Sequence, residues 1–164
     1  MKRGELFSQP FVMIFALIVM ALIIVFGIRS FSQVKDAADD VELVKFVSKL
    51  QEEVNRYYNF DVGSSKQLAL FAPVKAEKIC FHDASRPINI QLDSFTKTTL
   101  ESQRTANVFF LPLDNYDKTA FTVKYLRNTA QENPLCLGQQ NGRFIFLIET
   151  KAAMQTGFVG VKRG

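Results

Sequence analysis

The residues of this sequence best suited to bind a metal or to act as nucleophiles are its two cysteines, Cys80 and Cys136, and its one histidine, His82. Zinc sites are usually built from paired ligands such as C-x-x-C or H-x-x-x-H, and the sequence contains no such pair. A serine activated by His82 would need an exposed turn such as G-x-S-x-G, which is also missing. We therefore expect no catalytic residues, no metal site and no cofactor, and we do not expect an enzyme.

The two cysteines fit a structural role better. Cys80 and Cys136 each stand between two large apolar residues, which is typical of buried strands. In an oxidising compartment, an even pair of cysteines most often forms a disulfide, so we predict one between Cys80 and Cys136. Two reduced thiols in the core are the alternative, because separation in sequence does not show that their Cα atoms approach each other. His82 is expected at a strand end next to Asp83, on the same strand face as Cys80.

The distribution of charge argues against nucleic acid as a partner. The chain has 20 basic and 16 acidic residues and a net charge of +4. Because Lys and Arg alternate with Asp and Glu in the C-terminal part, no clustered basic stripe is present to neutralise phosphates. The composition, with 16 Phe and no Trp, predicts packed strands instead of disorder.

Short apolar runs separated by turn residues predict a β-rich domain from Ser65 onward. The predicted strands are 67–71, 78–82, 88–92, 107–111, 120–126, 143–149 and 158–161, together with the apolar residues 135–137. Residues 135–137 are joined to the strand 143–149 by a predicted hairpin, in which Asn141 and Gly142 can adopt the positive φ that the turn requires. The polar segment 93–104 is either a short helix or a loop.

A membrane-spanning helix is predicted near the N-terminus. Residues Phe11 to Ile28 carry no charge, and at 1.5 Å per residue they form about 27 Å of helix, which nearly matches the hydrocarbon core of a bilayer. A buried core helix rarely runs so far without a polar position, and a cleaved secretory signal usually has a shorter apolar region. Pro10 suits the first helical turn. Because Lys2 and Arg3 precede the span, the N-terminus is expected to be cytoplasmic.

The helix is expected to continue outside the membrane as an amphipathic segment. No Gly or Pro occurs between Arg29 and Gly63, and apolar residues recur at three- and four-residue steps up to Tyr57. The apolar stripe shifts phase between Val41 and Leu43, so it is not a continuous heptad seam. We expect its outer half to pack on the chain's own β domain. Packing against neighbouring subunits is the alternative, and both can hold at different heights along the helix.

The N-terminal sequence KRGELFSQPFVMIF, residues 2–15, resembles the class III signal of archaeal type IV pilins. In those proteins a short basic leader ends in Gly, and a membrane prepilin peptidase cuts after it. The resemblance implies cleavage after Gly4 and a mature chain that begins at Glu5. Gln9 stands at the fifth mature position, where pilins commonly carry Glu. Glu5 would then supply the electrostatic contact with a neighbour's N-terminal amine.

These patterns predict an α+β protein with a long N-terminal transmembrane helix that continues into an amphipathic helix, followed by a small antiparallel β-rich domain. The expected segments are a cytoplasmic basic leader at 1–9, a transmembrane helix at 10–29, an amphipathic extension at 30–60 and an extracytoplasmic β-rich domain at 61–164.

The expected location is the cell membrane or a surface filament, and the expected partners are the lipid bilayer, other copies bound through the N-terminal helix, and a prepilin-type peptidase. We expect a pilin-like structural subunit. An uncleaved single-pass anchor that displays a binding or scaffolding domain is the alternative.

Overall fold

Residues Ser8 to Tyr58 form one continuous helix, α1. The structure is a computed structural model that describes residues 8–116, 118–152 and 157–164, with the backbone alone at 8–9 and 30–38. The prediction that the apolar span and the amphipathic segment belong to one helix is confirmed. The chain divides into two compact units, Met1–Ala38 and Asp39–Gly164. The C-terminal part of α1 therefore belongs to the same unit as the strands.

A second helix and eight strands follow α1 in the described residues. In chain order they are β1 (Ser65–Phe71), β2 (Lys78–Phe81), α2 (Ser94–Ser102), β3 (Val108–Leu111), β4 (Ala120–Phe121), β5 (Leu126–Asn128), β6 (Leu135–Gly138), β7 (Arg143–Lys151) and β8 (Phe158–Lys162).

The strands form two four-stranded sheets, with the orders β1-β7-β8-β5 and β4-β3-β2-β6. All the strand pairs are antiparallel except β5 with β8, which run parallel. A parallel pair needs a crossover connection, and here β6 and β7 lie between the two strands in the sequence. The expectation of an antiparallel domain is therefore right for most pairs and wrong for this one.

The C-terminal part of α1 packs on the strands of its own unit. Leu43, Phe46, Leu50 and Val54 are buried in one cluster with side chains of both sheets. Their spacing of three and four residues places them on one face of the helix. Of the two arrangements expected for the outer half of the helix, the structure shows packing on the chain's own β domain.

The longest strand, β7, shows the alternation that the sequence predicts for a half-buried strand. Its even-numbered residues from Phe144 to Thr150 are buried, and the residues between them are partly exposed. The turn before it uses the predicted residues, since Asn141 has a φ of 50° and Gly142 a φ of 72°. The turn is therefore as predicted, but the predicted hairpin is wrong, because β6 and β7 belong to different sheets. Only Gln140 and Arg143 pair across the turn.

Residues 88–92, predicted as a strand, are not one. The backbone N–H of Asn89 donates to the Asn133 carbonyl at 2.9 Å, and the Asn89 side chain donates to the Gln131 carbonyl at 2.8 Å. The backbone of this segment is thus bonded to another loop instead of a strand. Apolar residues at alternate positions were a misleading signal here.

The predicted strand 120–126 is divided between the two sheets. Residues up to Phe121 belong to β4, and residues from Leu126 belong to β5. Between them, the Asn107 side chain accepts from the Val123 N–H and donates to the Val123 carbonyl, each at 2.8 Å. Because one side chain bonds both polar groups of this residue, the strand is interrupted at this point.

The polar segment left open as helix or loop contains α2. The Asp93 carboxylate accepts from the Thr96 N–H at 2.8 Å and caps the helix. Leu100 is fully buried in a second cluster that also contains Cys80 and Phe109. α2 therefore covers the outer face of the β4-β3-β2-β6 sheet.

Candidate functional site

The apolar part of α1 is the first candidate site. The helix segment Pro10–Arg29 is long and apolar enough to cross a membrane, and none of it is buried in the described structure. Side chains such as Phe11 and Met13 are more than two-thirds exposed. A continuous apolar surface of this kind normally meets lipid or protein. A signal sequence has the same length and composition, so the helix by itself is compatible with either an anchor or a signal.

The predicted processing and assembly residues Gly4, Glu5 and Gln9 precede or begin the apolar stretch in the sequence. Gly4 and Glu5 fall outside the described residues. Gln9 lies in the first turn of α1, where only the backbone is described. Their roles in cleavage and assembly stay predictions.

Cys80 and Cys136 are brought together by the sheet. They are directly opposed residues of the antiparallel pair β2 and β6, with Cα atoms 4.0 Å apart, and their sulfur atoms are bonded. Cys80 is completely buried. Because each sulfur is bonded to the other, neither is a free thiolate for a metal.

His82 directly follows β2 and is the second candidate site. Its side chain is 4% exposed, and its ring lies edge-on to the ring of Phe109 with centroids 6.1 Å apart. Burial lowers the pKa of His82 below its usual value of 6.5, although hydrogen bonding to Asn133 and the charges of Asp83 and Glu101 act in the opposite direction. The imidazole is therefore neutral at neutral pH.

The loop that carries His82 is held in place by a buried polar network. The side-chain nitrogen of Asn133, a fully buried residue, donates to three backbone carbonyls in residues 83–87 at 2.8 to 3.2 Å. Its side-chain oxygen accepts from the Asp83 N–H at 2.9 Å. The Arg86 guanidinium donates to three backbone carbonyls in residues 128–131. These bonds fix the loop in a single arrangement beside α2.

A cavity of about 440 Å³ lies between this loop and the end of α2. Its wall includes the buried His82, and its rim carries the exposed charged residues Glu101 and Arg104. Ile88 and Leu100 form an apolar part of the lining. Its volume lies within the range of about 300 to 1,000 Å³ that is common for small-molecule sites.

Sequence reasoning singled out His82 but missed the residues that build its surroundings. Asn133 and Arg86 act through contacts with backbone carbonyls far away in the sequence, and no local pattern marks such contacts. Glu101 and Arg104 belong to the polar segment 93–104, which the sequence left open as a helix or a loop.

A second concave surface of about 280 Å³ lies between α1 and the end of β1. Its lining includes Lys45, Phe46 and Lys49 of the helix and Phe71 at the strand end. The Phe71 side chain is 70% exposed, with the Arg143 guanidinium 4.4 Å from its ring centroid. Its lining is more apolar than that of the cavity beside His82.

Within residues 8–116, 118–152 and 157–164, no group of three or more His, Cys, Asp or Glu side chains is placed to hold a metal ion. Comparison of the chain with protein-family models, with curated proteins and with solved structures found no match.

Proposed function

We propose that this protein is a pilin-like structural subunit of a membrane-anchored or surface filament, assembled through its N-terminal helix. One observation carries the proposal. The helix α1 buries Leu43, Phe46, Leu50 and Val54 in the β domain, whereas its apolar stretch from Pro10 to Arg29 is exposed along its whole length. This second stretch therefore needs lipid or other helices as a partner.

Assembly would exchange one apolar environment for another. The Phe11–Ile28 segment first lies in lipid and then packs against the same segment of other copies. Hydrophobic transfer contributes little to such an exchange, because lipid tails are as apolar as the side chains. Close packing, the release of lipid and electrostatics at the helix ends must supply the free energy. In this sequence Glu5 would be the electrostatic element, once cleavage after Gly4 has freed the amine of an adjacent subunit.

Exposed apolar residues of the outer unit support contacts between subunits. Val41 and Val44 of α1 are more than half exposed, as are Phe71 and Val74. Phe71 lines the concave surface that Lys45 also lines, and the three valines are next in sequence to its lining residues Glu42, Lys45 and Pro73. Large exposed apolar side chains grouped in this way are typical of interaction surfaces.

The location that accompanies this proposal is the cell membrane, with the N-terminus in the cytoplasm and the β domain outside. The basic residues Lys2 and Arg3 before the span and the acidic residues after it support this orientation. Protease added to intact cells should remove the residues after Arg29. Degradation that occurs only after the membrane is permeabilised would contradict this orientation.

Cleavage is tested by the intact mass of the protein isolated from its native membrane. We expect the mature chain to begin at Glu5. The variant Gly4→Val should keep the leader, while the control Gly27→Ala, which has open space around its added methyl group, should be cleaved normally. Wild-type protein that retains Met1 to Gly4 would contradict the pilin-like proposal.

Filament formation is tested by electron microscopy of material shed from cells. The wild-type protein should form fibres, and Glu5→Gln should reduce their number. The control Glu52→Gln removes a carboxylate from an exposed position of α1 and should leave fibres unchanged. Absence of fibres from wild-type cells would exclude the filament.

An uncleaved membrane anchor that displays a binding domain is the second candidate. It is favoured by Gln9, which stands where pilins commonly carry Glu, and by Pro10, which occupies a position that is usually apolar. In this case the protein should keep Met1 to Gly4 and remain in the membrane without forming fibres.

A further inference from the structure

The concave surface between α1 and the end of β1 carries an excess of positive charge. Lys45 and Lys49 line it, and the Arg143 guanidinium lies over the ring of Phe71, which also lines it. Among the lining residues that the structure describes, Glu42 is the one acidic side chain. Because Phe71 is 70% exposed, this surface presents an aromatic ring among positive charges. We call it the basic surface.

A further concave surface, of about 370 Å³, carries the opposite charge. It lies between the start of α2 and the adjoining ends of β2 and β3. Its charged lining residues are Glu77, Asp93 and Asp114, with Lys78 as the one basic side chain among the described residues of the lining. Phe95 also lines it and is 68% exposed. We call it the acidic surface.

The two surfaces lie at the same end of the outer unit. β1 ends at Phe71 in the basic surface, and β2 begins at Lys78 in the acidic surface. The short connection between these strands is fixed at Lys75, whose N–H donates to the Tyr116 hydroxyl at 3.0 Å and whose carbonyl accepts from the Asn115 amide at 2.7 Å. The basic surface is formed by α1 and the sheet that contains β1, whereas the acidic surface is formed by α2 and the other sheet.

This placement suits contact between parallel copies of the chain. Copies that are anchored in one membrane share one orientation, so neighbours can join only surfaces that lie at a similar level. Two different surfaces of one chain that fit each other form a heterologous contact, which repeats from copy to copy. Complementary charge selects the partner and fixes its orientation, although exposed ion pairs add little to the affinity.

We propose that the basic surface of one copy docks on the acidic surface of the next copy. Phe71 packs in the acidic concavity beside Phe95, and Lys45 and Lys49 face Glu77 and Asp114. The inference rests on the proposed filament, because it requires copies that stand parallel in one membrane. It adds a contact between outer units to the contact between the N-terminal helices.

The contact is tested by photo-crosslinking of the full-length protein in the membranes of the cells that make it. Phe71→p-benzoylphenylalanine should give a covalent dimer on illumination, linked to residues 77–78, 93–96 or 111–114 of the other copy. The matched control is Val62→p-benzoylphenylalanine. Val62 is 66% exposed and precedes β1, whereas Phe71 ends that strand, so the control should not link to these residues. Links from position 71 only to other parts of the chain, to another protein or to lipid would overturn the proposal.

Charge reversal tests the pairing of the two surfaces. Lys45→Glu with Lys49→Glu should lower the yield of the dimer per molecule about fivefold, because like charges then face each other. Glu77→Lys with Asp114→Lys should do the same, and the four changes together should restore about half of the original yield or more. Lys124→Glu is the control and should leave the yield unchanged, since Lys124 is exposed and lines neither surface. All the altered side chains are exposed, so a yield that stays low in the fourfold variant would show that the two surfaces do not meet.

The outcome is separable from that of the filament proposal. The dimer is measured in the membrane and does not require fibres. Fibres that form without the link from position 71 would overturn the contact and leave the filament in place. The charge-dependent link in cells that form no fibres would exclude the filament and support the contact between outer units.

Discussion

The Thr150 hydroxyl donates a 2.6 Å hydrogen bond to the backbone carbonyl of Tyr57 and so joins β7 to the last turn of α1. Carbonyls in the last turn of a helix have no partner within the helix. Here the Tyr57 carbonyl accepts from the Phe60 N–H at 3.1 Å and also from the side chain of Thr150, a strand residue that is almost completely buried. This bond helps to fix where the helix ends on the sheet.

Removal of this hydroxyl should destabilise the outer unit. In Thr150→Val the shape is nearly kept, but the Tyr57 carbonyl loses one of its two donors and keeps the Phe60 N–H. The free energy of unfolding should therefore fall by about 0.5 to 1.5 kcal/mol. Thr150→Ser keeps the hydroxyl, so its free energy of unfolding should fall by less. Urea unfolding of the full-length protein in detergent, followed by tyrosine fluorescence, measures both. Equal losses in the two variants would show that the bond contributes nothing.

The ring of Phe46 should be the most important contact between α1 and the sheets. It lies edge to face with Phe110 and Phe144, with ring centroids 5.4 and 5.9 Å away. Phe46→Ala should lower the free energy of unfolding by about 3 to 5 kcal/mol, because it leaves a cavity. The control Val44→Ala alters a side chain that is 57% exposed and should change stability by less than about 0.5 kcal/mol. Similar decreases in the free energy of unfolding of both variants would contradict this packing.

Gly160 should not tolerate a side chain. A Cβ atom built there would lie 2.6 Å from Cγ2 and 2.8 Å from Oγ1 of Thr129. Thr129 cannot move away freely, since its hydroxyl donates to the Val161 carbonyl at 3.1 Å. Gly160→Ala should cost about 1 to 3 kcal/mol of stability. Gly138→Ala, with open space around the added methyl group, is the control and should cost much less.

The disulfide should stabilise the outer unit. Cys80 and Cys136 close a loop with a sequence separation of 56 residues, and a loop of this size corresponds to about 4 kcal/mol in the chain-entropy account, whose mechanism is disputed. The double variant with alanine at both positions should lose a free energy of this order in urea unfolding. Mass spectrometry of native, unreduced protein should find the two peptides linked. Two freely alkylated thiols would contradict the disulfide.

Stability should fall as the pH drops below about 6.5, the usual pKa of histidine. Burial lowers the pKa of His82 in the folded protein, so between the folded and unfolded values the unfolded chain binds more protons. Protonation then favours unfolding, and the loss continues until the folded pKa is reached. In His82→Gln the difference between unfolding free energies at about pH 7.5 and 5.5 should be smaller than in the wild type. An identical difference would show that His82 titrates with its ordinary pKa.

The sequence by itself determined the features that depend on local periodicity. The apolar run from Phe11 to Ile28 and the three- and four-residue steps beyond it predicted one helix, and α1 spans both. The alternation in 143–149 predicted β7, and Asn141 with Gly142 predicted its turn. These features can be predicted from the sequence because each follows from the spacing of apolar residues along one helix or strand, or from the φ preference of single residues.

Only the tertiary structure decided what depends on partners distant in the sequence. Asn107 interrupts the run 120–126 by bonding both polar groups of Val123, and residues 88–92 bond to a loop instead of a strand. The parallel pairing of β5 with β8 also depends on which edge of a sheet is free. The unpartnered nitrogen of His82 belongs to the same class, since it follows from how a loop fixed by Asn133 lies beside α2. Such contacts leave no periodic signal, because side-chain bonds to distant backbone groups follow the fold and not the local repeat.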